Sequence, residues 1–158
     1  MDKVSRRSMF AVIGAAGAGI WACILSEGCA TFTKKGKTPA IPPGAYAVEG
    51  GTIKVALDKV PELAKVGGAV KIIDARLPTS VILARTGDRD YAAASLLCPH
   101  RGVEVEYRPE QREFRCASLG HSKFCEDGSL KKGLARKGLT HYNVKLDPAD
   151  ANSLFVTF

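Results

Sequence analysis

The sequence predicts an all-β body over 51–158, an antiparallel sandwich or barrel, on three observations. First, short β-like runs recur between Gly- and Asp-containing turns, at 52–57, 69–73, 81–85, 91–97, 103–107, 112–116, 139–146 and 154–158. Runs of this length and spacing suit strands that meet at tight turns. Second, Thr86-Gly87-Asp88-Arg89-Asp90 lies between two such runs as a hairpin connection. Third, two Cys/His pairs, Cys98 with His100 and Cys116 with His121, flank a further hairpin over 105–114. Two opposing loops would then offer soft thiolate and intermediate imidazole donors to one metal centre.

At 158 residues the chain has room for one domain plus appendages. Its 23 Lys+Arg against 16 Asp+Glu give a net charge of +7, of which +3 falls in 1–50 and +4 in 51–158. No lysine-rich run or basic helix dominates, which argues against nucleic-acid binding.

At the N-terminus, Ser5-Arg6-Arg7-Ser8-Met9-Phe10 resembles a twin-arginine export motif, and the apolar run 9–25 that follows is rich in Gly and Ala. Residues 1–30 are therefore expected to be an address outside the fold. It implies the periplasmic side of a bacterial cell envelope and a protein that folds, often around a cofactor, before crossing. The run spans roughly 26 Å at about 1.5 Å per residue, just short of a hydrocarbon core of about 30 Å. Retention as a membrane anchor, lipidation at Cys29 and cleavage after Ala30 all stay open, with membrane attachment by one of the first two routes the expectation. Residues 31–50 hold Lys34-Lys35-Gly36-Lys37, Pro39, Pro42 and Pro43, a composition that reads as a linker.

The donors follow the order Cys-x-His, fifteen residues, Cys-x4-His. Structural zinc is one reading of such a set, although zinc pairs usually enclose two to four residues and Cys98-x-His100 encloses one. The remaining His141 reads as a strand or surface residue and Cys125 as a free or cysteine-paired thiol. No GxGxxG, P-loop or Ser/His/Asp arrangement is present.

Cys98-Pro99-His100-Arg101-Gly102, and Ser122-Lys123-Phe124 directly after His121, resemble the two ligand boxes of the Rieske iron-sulfur family, with a likeness extending over about 51–158. In that family each loop supplies one Cys and one His to a 2Fe-2S cluster. The resemblance implies a Rieske-type fold with a small cluster-binding subdomain of two loops, and one 2Fe-2S cluster held by Cys98, His100, Cys116 and His121. The second box departs from the usual C-x-x-H-G-S: His121 comes two places late and Gly120 precedes it. A bulge in which Gly120 takes the unusual backbone angles would let His121 reach the cluster. The positions of the family's loop disulfide fall on Val103 and about Ser118, so that bridge is missing. Ser122 is placed to donate a hydrogen bond and raise the potential, whereas Phe124 replaces a tyrosine hydroxyl and lowers it. The segment 128–135 resembles the cover over the cluster, with Leu134 in place of its proline. Arg101, Lys123, Lys131, Lys132, Arg136 and Lys137 form a basic rim suited to an acidic redox partner.

These readings converge on one-electron transfer, with no independent catalytic site. The leading expectation is the iron-sulfur subunit of a quinol-oxidising or respiratory complex, with a cytochrome or a membrane quinol-oxidising subunit as partner and quinol as donor. The alternative is a small electron-carrying subunit of a periplasmic oxidoreductase, as in arsenite oxidase. The missing disulfide favours the carrier, and the anchor and linker favour the quinol-oxidising subunit. From another class come a non-redox zinc module and a metal-free Rieske-like binding module. An oxygenase component is not expected, because a catalytic subunit needs a further domain with its own mononuclear iron site.

Overall fold

The β-forming runs assemble into two antiparallel sheets in a computed structural model that describes residues 35–158. The export motif, the apolar run 9–25 and Cys29 lie outside the described residues. The strands are β1 (Tyr46–Glu49), β2 (Thr52–Ala56), β3 (Ala69–Ile72), β4 (Val81–Arg85), β5 (Tyr91–Ser95), β6 (Val105–Arg108), β7 (Glu113–Cys116), β8 (Lys123–Cys125), β9 (Leu130–Lys132), β10 (His141–Leu146) and β11 (Ser153–Thr157). Seven of them form one sheet in the order β1-β2-β11-β10-β5-β4-β3, and the other four a small sheet in the order β6-β7-β8-β9. Among the described residues no helix is long and apolar enough to cross a membrane.

The two sheets share β4 and β5 as a partition. Successive residues of a strand point to opposite faces. Val81, Leu83 and Ala93 therefore enter one core with Ile53, Val55, Leu154 and Val156. Ile82, Ala84, Ala92 and Ala94 enter the other, with Val105, Phe114 and Phe124 of the small sheet. A strand covered on both sides reads as an unbroken apolar run, which is why Val81-Ile82-Leu83-Ala84 shows no alternation. The alanines of β5 leave room for the two phenylalanines, each fully buried and contributing about 1.5–3 kcal/mol.

All eight expected runs appear, most of them trimmed by their surroundings. The run at 112–116 begins as a strand only at Glu113, because Arg112 takes a left-handed conformation (φ 48°) that closes the β6–β7 hairpin. The run at 91–97 ends at Ser95, where the chain leaves the sheet for the first cysteine loop. Three strands were not legible. β8 and β9 are three residues each, and β9 is exposed and basic, the composition of a blunted edge.

β1 lies within 31–50, so much of that segment is body and not linker. Ile41 and Ala45 are buried, and Ile41 N–H donates to Lys71 O at 2.9 Å. The overlooked signal is Gly50-Gly51 after an alternating Tyr46-Ala47-Val48-Glu49. Both glycines have positive φ, as a two-residue hairpin turn requires. Further upstream, Gly36 N–H donates to Glu104 Oε2 at 2.7 Å and Lys37 N–H to Glu106 Oε1 at 2.6 Å, strapping 36–37 onto the small sheet.

Candidate metal centre

Both cysteine loops hang from the partition and the small sheet. The first leaves β5 through buried Leu96 and turns tightly: Cys98 N–H donates to Val103 O and Gly102 N–H to Cys98 O, both at 2.8 Å. Gly102 supplies the left-handed residue that this turn needs (φ 66°). The second loop connects β7 to β8. It is pinned by Cys116 N–H donating to Ser122 O at 2.8 Å and His121 N–H to Ser118 O at 3.0 Å. The two loops are joined by Ala117 N–H donating to Glu104 O at 3.0 Å.

A third segment closes over them. Ala135 N–H donates to Ser122 Oγ at 3.1 Å. Gly133 approaches so closely that a Cβ there would lie 2.5 Å from Ser122 Cα. The cover expected over 128–135 therefore rests directly on Ser122, and Leu134 stands 60% exposed beside it.

The thiols of Cys98 and Cys116 are neighbours under this cover, each residue about 1% exposed. Burial pushes the Cys98 thiol up, the His100 backbone N–H opposes that rise, the Cys116 thiol adds to it, and the Ser122 hydroxyl, donating to the Cys98 sulfur, opposes it. Cys116 donates its own S–H to Ser118 Oγ at 3.2 Å. The Cys98 thiol, held protonated in this way, must release its proton when a metal binds.

The histidines are divided. The His100 ring is half-buried, and its Nδ1 is buried with no partner among the described residues. It lines a recess of about 600 Å³ with Pro99, Leu134, Arg136 and Lys137. His121 is exposed, sits 3.3 Å through Nδ1 from Cys116 O, and lines a separate recess beside Lys35 and Lys37. The bulge in the second loop is also made differently than expected: His121 itself takes the left-handed conformation (φ 39°), and Gly120 does not. Among the described residues no group of three or more His, Cys, Asp or Glu side chains converges at metal-ligating distance.

The donor chemistry fits a thiolate-imidazole centre at the two cysteines. Cys98 and Cys116 are a buried soft pair, and His100, two residues after Cys98, carries a buried nitrogen without a partner but does not converge with them at ligating distance. With its Nδ1 at the Cys116 carbonyl, His121 keeps Nε2 as the ring nitrogen for a ligand role. Val103 and Ser118 hold no sulfur, and the free cysteines among the described residues are Cys98, Cys116 and Cys125. Cys125 is half-buried on β8 opposite Glu113, and His141 is exposed on β10.

Two acidic residues that sequence patterning passed over organise the loops. Glu104 is buried, accepts from Lys71 Nζ at 2.9 Å and from Gly36, and carries the carbonyl that joins the loops. Glu113 is buried and takes Lys123 at 2.9 Å and Lys131 at 3.0 Å. Its burial pushes the carboxyl up, yet the two ammonium groups outweigh burial and hold it below the usual value. Lys123 and Lys131 thus neutralise a buried charge, leaving Arg101, Lys132, Arg136 and Lys137 as the members of the expected rim without an ion pair among the described residues. The available signal was Glu104 and Glu106 alternating with Val103 and Val105.

No protein-family profile matches the chain, and no curated protein matches it. Solved structures do. The ferredoxin of carbazole 1,9a-dioxygenase from Nocardioides aromaticivorans is similar at 22% identity and TM-score 0.52, over 65% of this chain and 92% of that one. A chain in the complex of reduced oxygenase and oxidized ferredoxin of carbazole 1,9a-dioxygenase matches at 16% identity and TM-score 0.55, over 69% and 94%. The plasma membrane Rieske protein of Synechocystis matches at 21% identity and TM-score 0.47, over 57% and 86%. At these identities the likeness is one of fold: an all-β, Rieske-type architecture of two antiparallel sheets.

Proposed function

We propose that this protein is a Rieske-type electron carrier that passes single electrons to or from a partner oxidoreductase. The observation that carries the reading is the pair of buried thiols, Cys98 and Cys116, beneath a third segment that is hydrogen-bonded to Ser122, with an unpartnered His100 Nδ1 on the same loop as Cys98. Cys98, Cys116 and His100 would hold a 2Fe-2S cluster, with His121 as the fourth ligand. Such a cluster supplies one-electron chemistry at about −150 to +300 mV.

The chain's own residues set the conditions. Burial of Cys98 and Cys116 keeps water from their sulfurs, the Ser122 hydroxyl favours the Cys98 thiolate and with it the reduced state, and Phe124 brings no hydroxyl to the site. The middle or lower part of the potential window follows.

Within this reading the small electron-carrying subunit of a cell-envelope oxidoreductase is favoured over the iron-sulfur subunit of a quinol-oxidising complex. Its support is the fold likeness to ferredoxins over more than nine-tenths of their length, together with Val103 and Ser118 where a loop disulfide would stand. Export through the twin-arginine motif and attachment through 1–30 belong to the same proposal.

Metal analysis and an EPR spectrum of the dithionite-reduced full chain, prepared without air, test it. Iron and sulfide in equal amounts, with a rhombic signal of average g below the free-electron value, are expected. Zinc, or no metal after iron reconstitution, would overturn it in favour of a structural or binding module.

A further inference from the structure

The outer face of the small sheet carries a second site. Glu106 and Arg115 are direct cross-strand partners on β6 and β7, an arrangement that ordinarily makes an ion pair. Here both Glu106 oxygens are already engaged: Oε1 accepts from Lys37 N–H at 2.6 Å and Oε2 from Arg108 Nη2 at 2.7 Å. On its other side Arg115 stands opposite Lys123, a like charge that is itself committed to Glu113. The Arg115 Nε is buried with no acceptor among the described residues.

Arg115 lines a recess of about 250 Å³ together with Lys35, Lys37, Arg108, Glu106, Cys116, Ala117 and His121. The space corresponds to roughly eight waters at about 30 Å³ each, enough for a small hydrated anion and too little for an extended chain. Four cationic side chains line it against one carboxylate, Glu106, which Arg108 already pairs. The strap through 36–37 brings two of those cations to the recess. A planar guanidinium with a free buried N–H is the group best matched to a tetrahedral oxyanion.

We propose that Arg115, Lys35 and Lys37 form a binding site for a phosphate-class oxyanion, either the free ion or a small phosphomonoester. The site lies on the opposite face of the small sheet from the Phe114–Phe124 core and borders the second loop through His121 and Ala117. Its three anion-binding residues are not cluster ligands, although Cys116 and His121 also line the recess, so phosphate binding is read separately from cluster loading.

Isothermal titration of the full chain with inorganic phosphate, and separately with glycerol phosphate, tests this at constant ionic strength. Saturable binding is expected, with affinity about tenfold weaker in Arg115→Gln, the loss expected on removing a charged hydrogen-bond donor. Lys35→Gln, on the exposed strap, is expected to weaken binding by a smaller factor. It carries the test if the Arg115 variant does not fold. Tighter binding of inorganic phosphate assigns the free ion, and tighter binding of glycerol phosphate the monoester. Absence of saturable binding to either probe, or equal affinities in the parent chain and a folded variant, overturns the proposal.

Discussion

The two cysteine loops do the same structural task by different means. The first, through Cys98-Pro99-His100-Arg101-Gly102, closes on itself with two 2.8 Å backbone bonds and places its left-handed turn on a glycine. The second spans Cys116 to His121, leaves Leu119 87% exposed, and places its left-handed residue on a histidine. A non-glycine residue held there costs on the order of 1–2 kcal/mol, which the first loop avoids. The difference shows that loop length sets what a histidine nitrogen meets: His100 Nδ1, on the short loop, is buried without a partner among the described residues, while His121 Nδ1, on the long loop, lies 3.3 Å from the Cys116 carbonyl oxygen.

The largest expected effect breaks the comparison at its common point. Cys98→Ser and Cys116→Ser should each abolish bound iron and the visible spectrum, because both thiols serve one buried pair; retention of the spectrum in either variant would remove that cysteine from the ligand set. Next comes the loop difference itself. Deleting Leu119 and Gly120 shortens the second loop to Cys-x-x-His and should raise the fraction of chain loaded with iron, whereas His121→Ala should bleach it. A deletion that lowers loading while His121→Ala leaves the spectrum intact would mean that the longer loop has dispensed with this histidine.

A smaller effect concerns the cover. Gly133→Ala meets Ser122 at 2.5 Å in a backbone conformation of φ 120°, so a loss of about 2–4 kcal/mol in denaturant unfolding is expected. Ser122→Ala should lower the reduction potential by about 20–60 mV, the equivalent of one hydrogen bond, as voltammetry would show.

The smallest effect is in acid. Glu113 has its folded carboxyl below the ordinary 4.5, so its contribution to stability is complete above that pH and fades as pH falls through the lowered value. Glu113→Gln should therefore flatten the acid limb of a stability-versus-pH curve. An unchanged limb would show that Lys123 and Lys131 do not stabilise the base of the second loop.

Much of this was readable from residue order. The eight strand runs, the connection at 86–90, the hairpin between the cysteines and the Cys98 loop all follow from local chemistry: periodicity, turn residues and a compact ligand box. What escaped was decided by distant partners. β1 was hidden because its segment is rich in Pro and Lys, yet Ile41 and Ala45 pack once Lys71 provides a backbone partner. Glu104 and Glu113 read as ordinary strand-surface carboxylates, and each is buried because lysines from other strands reach it.

By itself, the sequence determined an all-β body with two thiols placed by adjacent loops, since strand period and turn chemistry act over a few residues. Only the tertiary structure decided that β4 and β5 divide two cores, that Lys123 and Lys131 are consumed by Glu113, that Arg115 Nε has no acceptor among the described residues, and that the two histidines face different recesses. Those outcomes depend on which side chains from distant strands compete for the same oxygen or the same space. That competition is settled when the sheets pack.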